Sequence, residues 1–192
     1  MTRIVAGSRG GRRLAMPPGD QTRPTSSKVR EALFSALASW TGGSSGPADV
    51  ALKGWAFCDL FAGSGAIGLE AASRGAAPVM LVEFSRRAMC TIEQNVAAVD
   101  LEVEVRRDSV EDIVRRQPAY PFDIIFLDPP YELANGVVEA ILCDLVANGW
   151  LTGEGLIVLE RSSREPAPRW PDVLGDTWEK KYGETVLYFG AG

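Results

Sequence analysis

The chain has 192 residues, 46% of them hydrophobic and 23% charged, with a net charge of −5. Those figures describe one ordinary soluble domain with a real core. No apolar run approaches the roughly 18 residues that a membrane helix needs. The basic opening segment lacks the apolar centre of a secretory signal, so a cytoplasmic location without membrane attachment is expected. His is absent, which removes every His-based triad, general base and metal ligand.

Charge is unevenly spread. Residues 1–30 carry Arg3, Arg9, Arg12, Arg13, Arg23, Lys28 and Arg30 against Asp20 alone. This is a local +6 on a body that holds −11 (−5 − 6). A basic end on an acidic body fits local contact with a polyanion, or else a solvated tail with no partner.

In chain order, residues 2–16 place two short apolar runs around Gly7, Gly10 and Gly11, which predicts a β-hairpin with a glycine-rich turn. Residues 16–24 read as a linker. Val29, Leu33, Leu37 and Trp40 then recur at helical spacing, with Thr25 or Ser26 as the cap. The run 41–47, TGGSSGP, reads as a flexible loop.

From there strands and helices alternate. WAFCDLF is a strand and AIGLEAASRG a helix stopped by Gly75. PVMLVEF is a strand, and the helix beginning SRRAMC takes Ser85 as its cap. EVEVRR is followed by a short helix near 109–117. FDIIFL precedes a helix that stops at Asn148-Gly149. GLIVLE is a strand, and DTWEKKY with TVLYFG forms a closing hairpin about Gly183-Glu184. Alternation of this kind means an α/β fold with a parallel sheet and helices on both faces. Ligands on such sheets bind at the C-terminal strand ends. The three cysteines, Cys58, Cys90 and Cys143, are widely spaced and read as reduced thiols.

The stretch from Asp59 through Phe61, Ala62, Gly63, Ser64 and Gly65 to Gly68 contains GxGxxG between a strand and a helix. Glu83 ends the next strand. This matches the dinucleotide fingerprint, so a nicotinamide-dependent dehydrogenase has to be weighed. Asp59 argues otherwise. Its carboxylate would face a pyrophosphate unfavourably, whereas it could organise the ammonium end of S-adenosylmethionine. That cofactor has a ribose diol for Glu83 and no phosphates. Asp108 is placed to accept from the adenine amine, with the amide of Ser109 or Val110 nearby; it could equally cap the helix that begins there.

Asp128, Pro129, Pro130 and Tyr131 follow the fourth strand of the alternating region. The prolines end the strand, since they cannot donate to a sheet ladder. A turn alone leaves the acid and the ring unexplained. Methylation of an exocyclic amine explains both. The amine lone pair is delocalised into the base and attacks poorly. Acceptors aimed at its N–H groups, here the Asp128 carboxylate and the Pro129 carbonyl stiffened by Pro130, favour the developing cation. Tyr131 offers a stacking face for a base taken out of its stack. Neither a metal nor a covalent nucleophile is required. A C5-cytosine mechanism would need a Cys in this loop, and none is there.

The segments DLFAGSGAIGLEAASRGA, VEFS, DIIFLDPPY and RPTSSKVREALFSAL together resemble the RsmD-type 16S rRNA guanine-N2 methyltransferases over nearly the whole chain. RPT…VRE is the most family-specific of them. The resemblance implies a class I methyltransferase, Rossmann-like seven-stranded sheet whose last strand is antiparallel. It implies residues 1–22 as a basic hairpin and linker in contact with RNA, through Arg3, Arg9, Arg12 and Arg13, and residues 23–192 as the methyltransferase domain. It also implies Arg23 and Thr25 at the pocket and 16S rRNA in the small ribosomal subunit as substrate. No obvious dimer element is visible in the sequence, so a monomer is expected. A DNA amino-methyltransferase shares the same DPPY chemistry. Site-specific versions, however, usually carry a sizeable recognition region, and only about forty residues precede the sheet here.

Overall fold

The computed structural model describes residues 2–17 and 26–192; Arg23 and Thr25, assigned above to the pocket, lie outside them. The hairpin is present but its paired strands are short, β1 (Thr2–Arg3) and β2 (Arg13–Leu14). Helix α1 (Ser27–Trp40) takes Ser26 as its cap, whose hydroxyl accepts from the Val29 amide. Thr41 bonds the Ala38 and Ala51 carbonyls. The run 41–47, expected to be a flexible loop, instead holds a 3₁₀ turn at 43–45, and a second such turn follows at 48–50. Buried Leu52 follows them, its amide bonded to the Arg74 carbonyl.

The alternating region gives β3 (Phe57–Leu60), α2 (Ala66–Ser73), β4 (Val79–Val82), α3 (Arg86–Val99), β5 (Glu104–Arg106), α4 (Val110–Ile113), β6 (Phe122–Leu127), α5 (Asn135–Ala147) and β7 (Leu151–Ser162). The closing hairpin is β8 (Asp176–Tyr182) and β9 (Thr185–Ala191). The main sheet has seven strands in the order β5-β4-β3-β6-β7-β9-β8. Strands β5 to β7 pair in parallel, and β9 enters antiparallel between β7 and β8. This is the class I methyltransferase sheet with its final strand reversed, as expected.

Strand alternation divides the core. One face of the sheet (Phe57, Leu81, Phe126, Val158) packs on α1 and α2 through Leu33, Phe34, Leu37 and Ile67. The other face (Cys58, Val82, Leu127, Leu159) packs on α5 through Val138, Ile141, Leu142 and Leu145. Each fully buried Leu or Phe in these layers contributes about 1.5–3 kcal/mol of transfer free energy. Phe34 stacks on Phe57, and the Arg74 guanidinium sits 4.8 Å over the Phe34 ring.

The hairpin is built into this body. Ile4 and Leu14 bury against Leu69 of α2 and Val99 of α3. The fully buried Glu70 carboxylate accepts from the Val5 amide at 2.6 Å, the Ala6 amide at 2.9 Å and Arg74 Nε at 2.9 Å. Arg30, also buried, donates to Thr2 Oγ1 and the Arg3 carbonyl. A Cβ on Gly7 would lie 2.0 Å from the Ser73 carbonyl oxygen, so only glycine lets the turn pass so close.

Candidate functional site

The register of the central strands assembles the site. Leu60 of β3 pairs with Val82 of β4 on one side and with Leu127 of β6 on the other. Phe61, Glu83 and Asp128 therefore step off three adjacent strands at one level. Chain order reverses between β3 and β6, which is where ligands bind on open parallel sheets.

Phe61 leaves β3 with φ +64°, a left-handed conformation uncommon outside glycine. The Ala62 amide donates to the Val82 carbonyl, and the Gly65 amide donates to the Ala62 carbonyl. Gly65 has φ +77°, and a Cβ there would meet Leu81 at 2.9 Å. The loop thus turns tightly into α2 directly over the sheet.

Three carboxylates converge on this loop. Asp59 is buried inside β3, and its Oδ2 accepts from the Gly68 amide at 2.8 Å in the first turn of α2. Burial pushes its pKa up to about 8, with the Asp128 and Glu83 charges adding to the rise and the Gly68 bond opposing it. Glu83 Oε2 accepts from the Gly63 amide at 2.8 Å, and its Oε1 from the Ser85 amide at 2.7 Å. Tyr131 is 62% exposed, and Phe84, next to Glu83, is 70% exposed.

Asp59 carries a pH prediction. Its folded pKa lies above the ordinary 3.8, so the folded state holds a proton that the unfolded state has lost. That contribution to stability is complete below about pH 4 and is lost as pH rises through about 8. Asp59→Asn removes the titration and keeps the acceptor for Gly68. Denaturant titrations from pH 4 to 8, without cofactor, should show a shallower fall in stability for the variant. An identical pH dependence would mean that Asp59 is ionised in the folded chain.

Asp108 and Ser109 follow β5. The Ser109 hydroxyl caps α4 by accepting from the Asp112 amide. The cap is therefore Ser109, not Asp108. The Asp108 carboxylate accepts from the Ser109 amide at 3.0 Å and pairs with Arg116 at 3.1 Å.

Arg3, Arg12 and Arg13 have exposed side chains on the hairpin. Arg9 is engaged differently. Its Nε donates to the Val99 carbonyl at 2.5 Å and its Nη2 to the Asp100 carbonyl at 2.9 Å, closing the end of α3. Two further residues join parts of the site that sequence reading left separate. Buried Asn95 of α3 exchanges two hydrogen bonds with the Ala15 backbone and donates a third to the Ser64 carbonyl. It thereby ties the end of the hairpin to the glycine loop. Buried Arg161 of β7 reaches the segment after Pro130. The signal for Arg161 was a charged pair, Glu160-Arg161, directly after an apolar strand. Asn95, a single polar residue in an amphipathic helix, gave none.

Sheet order, reversed final strand and loop geometry define a class I methyltransferase fold. A 16S rRNA N2 G1207 methyltransferase (RsmC) from T. thermophilus, solved with AdoMet and guanosine, shares that fold with a TM-score of 0.67 at 22% identity, over 91% of this chain and 44% of that one. The family model described as conserved hypothetical protein 95 matches residues 2–191, and the chain belongs to that family. It is similar to ribosomal RNA small subunit methyltransferase D of Escherichia coli K12, 36% identical over 96% of this chain and 86% of that protein. The protein of the same name from Haemophilus influenzae is 31% identical over 85% of this chain and 80% of its own length. The solved hypothetical protein TTHA0928 of Thermus thermophilus superposes with a TM-score of 0.79 at 30% identity, covering 98% of both chains.

Proposed function

We propose that this protein transfers a methyl group from S-adenosylmethionine to the exocyclic N2 amine of one guanine in 16S rRNA, on the assembled small ribosomal subunit. The observation that carries the reading is the register placing the Asp128–Tyr131 turn one strand from the glycine loop, level with Glu83. The relatives' name, small-subunit rRNA methyltransferase, supports RNA as the acceptor.

The donor set fits the cofactor. The Glu83 carboxylate, at the end of β4 and bonded to the Gly63 amide of the glycine loop, suits a ribose diol. Glu83 would hold the ribose diol, the loop from Phe61 to Gly65 the amino-acid end, and Asp108 with the Ser109 amide the adenine edge. When bound, S-adenosylmethionine supplies an electrophilic methyl on a sulfonium sulfur. Asp128 and the Pro129 carbonyl accept from the two N–H groups of the target amine, so its lone pair turns towards that methyl. Asp128 would take the proton that the amine gives up once its nitrogen has gained the methyl. Tyr131 stacks on the extruded base. The chain's work is positioning and electrostatics.

Glu83→Ala should weaken S-adenosylmethionine binding by about 10-fold or more, since hydrogen bonds to a charged group contribute roughly 1.5–3 kcal/mol. Turnover at saturation should change little. Calorimetry and steady-state kinetics separate the two, and the opposite split would remove Glu83 from the ribose.

The RNA reading is tested at the hairpin. Arg12→Ala with Arg13→Ala should lower affinity for small subunits and reduce the salt slope by about 2, as expected for two lost phosphate contacts. Cofactor affinity should hold. An unchanged slope would take the hairpin out of the interface.

A further inference from the structure

We propose that Arg161 is the positioning residue that holds the Asp128–Tyr131 turn in its working shape. The inference rests on the amine-methylation reading above. Nothing in that reading explains why a guanidinium should be buried at the end of β7.

The register places Arg161 beside the turn. Leu127 pairs with Leu159, so Arg161 lies two residues further along β7, level with Pro129, on the face of the sheet that packs against α5. Its side chain is only 4% exposed. One guanidinium nitrogen donates to the Pro130 carbonyl at 3.4 Å. The other donates to the Leu133 carbonyl and to Asn135 Oδ1, each at 3.1 Å. Glu165, four residues on, pairs with the same group and balances its charge.

These partners bracket Tyr131 and Glu132 on both sides. The turn needs such a clamp. α5 begins at Asn135 after Ala134, which offers no side-chain cap, and the chain between Pro130 and α5 belongs to neither strand nor helix. A fixed planar fork holds carbonyls from two set directions, whereas a lysine ammonium is a point charge on a flexible stem with no such preset geometry. Held in this way, the Pro129 carbonyl and the Tyr131 ring keep their aim relative to Asp128. The hydrogen bonds and ion pair of Arg161 given above go to Pro130, Leu133, Asn135 and Glu165.

The test uses full-length Arg161→Ala and Arg161→Lys. Turnover on hypomodified small subunits should fall on the order of 10²-fold in the Ala variant, the usual result of displacing reacting groups by about an ångström. S-adenosylhomocysteine affinity and KM for subunits should stay within about threefold, since neither surface is touched. Methylguanidinium at millimolar concentration should restore part of the Ala variant's turnover and leave the wild type unchanged. The Arg161→Lys variant should turn over more slowly than the Ala variant does with guanidinium added.

Hydrogen exchange gives a readout independent of substrate: amides of residues 131–135 should exchange faster in the Ala variant. Unchanged turnover, loss without rescue, or unaltered exchange would each overturn the proposal. If the wild type methylates no RNA, the functional reading fails instead, and the exchange result still decides whether Arg161 holds the turn.

Discussion

Asp128→Ala should lower turnover on the order of 10³-fold while the protein stays folded and binds its cofactor. The size follows from what the carboxylate does. In the proposed reaction it would be the charged acceptor on an amine that becomes cationic as the methyl arrives, and removal of one preorganised electrostatic group costs about 10²–10³-fold in comparable sites. Loss of the proton acceptor adds to this. The fold should not suffer, because Asp128 is one of the like charges that raise the Asp59 pKa. Asp128→Asn keeps an acceptor oxygen without the charge and should fall between the two. Single-turnover rates at saturating S-adenosylmethionine give the comparison. A variant within threefold of wild type would mean that the turn positions the base by backbone alone.

Glu70→Ala should have the largest effect on stability. Glu70 is fully buried and serves three donors, the Val5 and Ala6 amides and Arg74. Its removal leaves Arg74 without its buried counter-charge, a change that typically costs roughly 3–5 kcal/mol. For a chain of this size the midpoint of thermal unfolding should drop by roughly 10 °C. Glu70→Gln keeps an acceptor for the amides and should lose less. The damage should be uneven. Amides 4–6 should lose exchange protection first, and affinity for small subunits should fall more than affinity for cofactor, because Arg12 and Arg13 ride on the hairpin that Glu70 anchors. An Ala variant with wild-type melting would show that Ile4 and Leu14 hold the hairpin without it.

The parts legible in the sequence were those set by local periodicity and by turn chemistry. Ser85 caps α3, Gly75 follows α2 and the closing hairpin turns at Gly183 because each depends on a few neighbouring residues. The site was legible for a related reason. A glycine loop and a proline-stopped strand each advertise a strand end, and alternation brings strand ends together. What could not be read were bonds from a side chain to backbone far away in the sequence. Glu70 reads as a polar residue on a helix, yet it anchors backbone 64 and 65 positions away. Arg9 belonged to the basic segment by composition, and the fold commits it to the end of α3. The glycine-rich run 41–47 suggested slack, but it holds a 3₁₀ turn at 43–45.

The most direct test is transfer of labelled methyl from S-adenosylmethionine to hypomodified small subunits, naked 16S rRNA and duplex DNA, with the labelled nucleoside identified by mass spectrometry. The account predicts N2-methylguanosine at a single 16S position, formed on subunits and lost with Asp128→Ala. Label in an adenine or cytosine amine of the DNA, or no label in any of the three despite cofactor binding, would contradict it.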